Sequence, residues 1–156
     1  MNEKQKEDQK RVVKLVEDHL VAEGLDLDTV RKQSADGHPY WAFAQGSAAV
    51  RIHVLPGPPD RGLNYFQVVS PVILLPDKNR EDLYRKLLEL NADQLWACGF
   101  AIRNDTIILT ADRTTVDLDQ SEVVEMIERV AAYADKFDDE LAAEFGTVRF
   151  SDKKKQ

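Results

Sequence analysis

One cysteine, three histidines and seven glycines among 156 residues exclude several kinds of chemistry. Cys98 is the only thiol, so no disulfide closes within the chain and a Cys-based zinc site is ruled out. His19, His38 and His53 read as lying in a helix, a turn and a strand, with no pair at i, i+4 to aim two imidazoles at one ion. The glycines build no phosphate cradle: the stretch around Gly57 and Gly62 lacks a Lys-Ser/Thr ending and opens a strand rather than a helix. Positive charge is also short, with 21 basic against 28 acidic residues and a net charge of -7, which disfavours binding to phosphate backbones. No apolar run approaches the ~18 residues of a membrane span, and the charged N-terminus lacks a signal-peptide core. The expectation is a cytoplasmic protein without cofactor, metal, nucleic-acid or membrane partner. A single domain is expected over residues 1–146, with a disordered tail at 147–156.

What is present is strong periodicity. Val12, Val13, Val16, Leu20 and Val21 fall at helical spacing within residues 4–23, and Gly24 supplies a stop. Val30, Lys32 and Ser34 suggest a weak edge strand before an Asp36-Gly37 turn. Residues 39–44 and 48–55 read as a hairpin about Gln45-Gly46-Ser47, with Ala48, Val50, Ile52 and Val54 on one face and Arg51 and His53 on the wetter one. Residues 56–62 are too rich in Pro and Gly to continue a ladder. The strand that follows Asn64 is apolar on both faces and therefore central, with a bend or bulge expected at Ser70-Pro71.

A second helix, capped by Asp77 or Asn79 and ending near Asn91, buries Leu83, Leu87 and Leu90, with Leu88 widening the stripe. Residues 95–103 and 106–112 read as a hairpin about Asn104-Asp105, with Trp96, Cys98, Phe100 and Ile102 on one face and the small Ala97, Gly99 and Ala101 under a helix on the other. The longest helix begins at Asp119, capped with Glu122, and ends at Gly146. Its Val123, Ile127, Val130, Ala134, Phe137 and Leu141 are spaced 4, 3, 4, 3, 4, a period of 3.5 that calls for a long partner, either the first helix or a second subunit. The fold class is α+β: an antiparallel sheet of about five strands with helices on one face, in the order α-β-β-β-α-β-β-α.

In that order and spacing, three runs carry a family likeness: Phe66-Gln67-Val68-Val69-Ser70-Pro71-Val72, Leu87-Leu88-Glu89-Leu90-Asn91, and Ala134-Asp135-Lys136-Phe137-Asp138-Asp139-Glu140-Leu141. The chain resembles the YbjN-domain family, whose fold is similar to that of the dimeric type III secretion chaperones. The resemblance covers most of the chain and implies a non-enzymatic, homodimeric partner-binding module, a kind also described as a sensory transduction regulator. It carries over no ligand residues.

The residues themselves offer few sites. Cys98 beside Trp96 and Phe100 reads as a buried small hydrophobe with a raised pKa rather than a nucleophile. Asp135, Asp138, Asp139 and Glu140 read as a solvated helix face. The aromatics Tyr40, Trp41, Phe43, Tyr65 and Phe66 form the candidate partner-binding set; alternation turns some inward and leaves others, Tyr40 and Tyr65 among them, outside. The expected function is an adaptor or chaperone-like protein that captures a segment of a protein partner. The alternative is a small hydrolase or transferase using His53 and Asp60 near the 56–62 loop.

Overall fold

The computed structural model describes residues 1–58 and 60–155. In chain order the elements are α1 (Glu3–Ala22), α2 (Leu27–Val30), β1 (Arg31–Gln33), β2 (Pro39–Gln45), β3 (Ala48–Pro56), β4 (Asn64–Leu74), α3 (Arg80–Asp93), β5 (Gly99–Arg103), β6 (Thr106–Thr114) and α4 (Gln120–Phe145), then a 3-10 helix at Phe150–Lys155. The strands form one six-stranded antiparallel sheet in the order β1-β2-β3-β4-β6-β5. Thr115 N–H donates to the Asn64 carbonyl at one end of the β4–β6 pair, and Leu75 N–H to the Asp105 carbonyl at the other, which fixes that pair as antiparallel.

The helices stop and start where their local chemistry dictates. Asn2 and Gln5 exchange side-chain and backbone bonds at the head of α1. Its end is closed by Gly24 at φ +80°, with Leu25 N–H reaching back to the Leu20 carbonyl. Asp119 and Glu122 form the same reciprocal box ahead of α4, and Gly146 at φ +63° ends it. All six seam residues of α4 are buried. α3 departs from expectation at its start: Asn79 stands at the cap position but in the left-handed region, and its side chain makes no capping bond.

Contacts cluster into two compact units. The first comprises Met1–Phe43, Arg51–Val68 and Asp112–Glu128. Val12, Val16 and Leu20 of α1 are buried there, as are Trp41, Ile52, Val54, Phe66, Val68 and Ile127. Gln120 Nε2 donates to the Leu15 carbonyl, tying the first turn of α4 to α1. The second unit comprises Ala44–Val50, Val69–Ala111 and Arg129–Gln156. Ile73, Leu83, Leu87, Leu90, Phe100, Leu109, Phe137 and Leu141 are buried in it.

Several expectations are corrected. The edge strand is real but shorter than residues 30–34, because Val30 closes the one-turn helix α2, which the change of period at Asp28 concealed. β4 runs unbroken through Pro71 to Leu74, and the chain turns away at Pro76, whose carbonyl accepts from Arg80 Nε at 2.6 Å. β5 begins only at Gly99, since Ala97 at φ +52° breaks the extended run from Leu95. Trp96 therefore does not share a strand face with Phe100, and Ala97 and Ala101 are exposed rather than covered. Leu88 widens no stripe: it is 67% exposed. Within the segment expected to be disordered, residues 147–149 are paired: Thr147 Oγ1 donates to the Leu74 carbonyl, Leu74 N–H donates to the Val148 carbonyl, and Ile73 bridges Arg149.

Candidate partner-binding surface

In the first unit, alternation along β2 and β4 divides the five candidate aromatics. Trp41 and Phe66 are wholly buried, Trp41 with its Nε1 donating to Glu17 Oε1 at 3.3 Å, so both belong to the core and leave the candidate surface. Tyr40, Phe43 and Tyr65 remain half-buried. Tyr40 lies flat on His53 of β3, with ring centroids 5.4 Å apart and planes at 15°. Tyr65 packs over Gly57, where a Cβ would come within 2.7 Å of its ring and 2.6 Å of the Leu63 carbonyl. That close approach requires glycine, and it fixes how the 56–62 loop leaves the sheet. His53 thus faces an aromatic ring, while Asp60 is exposed on the loop.

The same unit holds a polar cluster that the sequence did not reveal. Asp8 Oδ2 accepts from Thr115 Oγ1 at 2.5 Å and Asn64 Nδ2 at 2.9 Å, while its Oδ1 accepts from Arg11 Nη2 at 2.8 Å. Arg11 also donates to the carbonyls of Thr115 and Leu118, and Gln5 Nε2 donates to that of Leu63. Burial pushes the Asp8 carboxyl up, but the hydrogen bonds from Thr115, Arg11 and Asn64 outweigh it and hold its pKa below the usual carboxylate range. The cluster lines an open cavity of about 410 Å³ together with Lys4, Gly62, Val116 and Asp117. The only local signal was Asp8 and Arg11 three apart on α1; Asn64 and Thr115 join from 56 and 107 positions away.

In the second unit, Ser47 Oγ lies 2.5 Å from both Asp135 Oδ1 and Asp138 Oδ2, and its N–H donates to Asp135. These bonds from Ser47 lower the Asp135 pKa. Of the α4 carboxylates expected on a solvated face, Asp135, Asp139 and Glu140 are exposed and Asp138 alone is buried. Large exposed apolar side chains occur on α3, on β5 and on the link between them: Leu88, Trp96 at 76% exposure and Ile102 at 49%. Cys98 is half-buried in that link, and burial raises its thiol pKa. No group of three or more His, Cys, Asp or Glu converges in a metal-binding arrangement among the described residues, and no helix among them is long and apolar enough to cross a membrane.

A family model described as T3SS (YopN, CesT) and YbjN peptide-binding chaperone 1 matches residues 10–153. No curated protein sequence matches the chain. Among solved structures the chain is similar to one from the crystal structure of the ExsC-ExsE complex, with a TM-score of 0.62 over 85% of this chain and 95% of that one. At 14% identity, that likeness speaks to the fold.

Proposed function

We propose a chaperone function from a plain premise: the chain belongs to the TY-Chap1 family of T3SS and YbjN peptide-binding chaperones. It acts as a non-enzymatic adaptor that captures a segment of a partner protein. The match over residues 10–153 carries this reading, and the occurrence of a similar fold in a complex of ExsC with ExsE supports it. Tyr40, Phe43 and Tyr65 are the side chains assigned to the partner. Each offers a rigid ring with part of its surface in water, the kind of group that anchors peptide recognition at low entropic cost.

The protein works as a homodimer. The exposure of Leu88, Trp96 and Ile102 supports this, because side chains of that size left in water favour burial against a second copy, and a two-fold contact buries each residue it uses twice. The test is to retain partners from a host lysate, identify the bound segment, and titrate it in purified form into wild-type protein and into Tyr40→Ala/Tyr65→Ala. Saturable binding weakened by the double substitution is the expected result. Undiminished binding removes the aromatics from the site, and failure of any purified segment to bind removes the chaperone reading.

A further inference from the structure

Beyond Gly146 the chain folds back onto its own sheet within the second unit. Thr147 Oγ1 donates to the Leu74 carbonyl at 2.9 Å, Leu74 N–H donates to the Val148 carbonyl at 3.1 Å, and Arg149 forms an antiparallel bridge with Ile73. Successive N–H groups of a strand point to opposite flanks. That of Leu75 reaches Asp105, in the turn leading into β6, so residues 147–149 take the opposite flank of β4. Thr147 N–H also donates to the Ala142 carbonyl at 3.0 Å, Arg149 makes ion pairs with Asp139 at 3.3 Å and Asp152 at 2.8 Å, and Thr147, Val148, Arg149 and Phe150 all keep part of their surface in water.

We infer that residues 147–149 are a self-bound extended segment occupying a second client-binding place, at the end of β4, and that the segment taken there is extended and carries a basic residue beside an apolar one. The inference rests on the chaperone reading and adds, to the aromatics assigned above, a further place where that chaperone takes an extended segment and the chemistry it selects there. An open strand flank recognises any extended backbone, while side chains on alternate positions supply the selectivity. Here the selective group is acidic: Asp139 pairs with Arg149, and the charge of Arg149 is also felt by Asp138 and Asp135. A chain of net charge -7 draws basic segments toward such a place. The tethered strand competes at an effective concentration on the order of millimolar, so weak segments are refused and only a better-fitting client displaces it.

The probe is a labelled synthetic peptide, Gly-Thr-Val-Arg-Phe-Ser-Asp, which repeats residues 146–152, and the protein is the full chain. Arg149→Glu places a carboxylate against Asp139 and frees the strand. Hydrogen exchange at the Leu74 amide should then speed up by about tenfold or more and be slowed again by added peptide, and the peptide should bind the variant about tenfold more tightly than the wild type. A peptide carrying Glu in place of Arg should bind neither. If Arg149→Glu does not fold, Thr147→Val, which deletes one bond and keeps both ion pairs, gives the same comparison with a smaller expected shift. A Leu74 amide equally protected in all chains, or one that the peptide fails to protect, overturns the inference. A client segment that binds wild type and Arg149→Glu alike overturns the competition while leaving the chaperone reading intact.

Discussion

The ring of Phe100 on β5 meets the ring of Phe137 on α4 edge-on, with centroids 5.8 Å apart and planes at 76°. Tyr133 also stacks with Phe137, with centroids 6.4 Å apart, and Phe137 itself is buried. Truncating Phe137 to Ala therefore removes both ring contacts and leaves a cavity. The cost should be about 3–5 kcal/mol, read as a lowered midpoint in urea unfolding. A change below about 0.5 kcal/mol would show that the ring is solvated in solution.

Asp8 sets an acid limit on stability. Its folded pKa lies below the unfolded value of about 3.9, so its contribution is complete above that value and is lost as pH falls through the folded one. Wild type should lose stability as pH is lowered below about 4, and Asp8→Asn should be less stable near neutrality with a flatter acid limb. Urea midpoints taken at intervals from acid to neutral pH decide it, and parallel curves for the two proteins would count against this role.

Gly57→Ala should destabilise by about 1–3 kcal/mol, because the added methyl meets the Leu63 carbonyl and the Tyr65 ring and neither is the loose end of a flexible side chain. The same substitution displaces Tyr65 and should weaken segment binding as well. A loss of stability with unchanged affinity, measured by calorimetric titration, would separate Tyr65 from recognition.

Leu88→Glu combined with Trp96→Glu should leave the helical circular dichroism unchanged and give a species of 17.7 kDa in sedimentation equilibrium, while wild type sediments as a dimer at micromolar concentration. Wild type sedimenting at 17.7 kDa would refute association through this patch.

Much of the fold was legible because its signals are local. The 4, 3 spacing along α4, the reciprocal Asp119 and Glu122 cap, and the Asn104-Asp105 turn all depend on neighbours in sequence, and each is found where the residues place it. Trp96 and Leu88 misled because apolar character says nothing about which side of an element is covered. A single left-handed residue, Ala97, was enough to separate Trp96 from the strand face assigned to it. Of the candidate site, alternation sorted Tyr40 and Tyr65 from the buried Trp41 and Phe66 only once the side facing the core was known. The Asp8 cluster and the strand at residues 147–149 were invisible for a different reason: their partners are distant in the chain, and no local pattern announces such a meeting.

The distance between Asp8 and Thr115 also bears on how the molecule is made. A ribosome releases α1 early, yet the hydroxyl that caps the Asp8 carboxylate and the carbonyls that hold Arg11 come more than a hundred residues later. Until then Val12, Val16 and Leu20 have no completed core to enter, and the nascent helix presents its apolar side to whatever surrounds it. Closure of the first unit is consequently a late event in synthesis, and a stall before residue 115 leaves α1 beside its earlier strand partners with the Asp8 cluster open and the first turns of α4 missing.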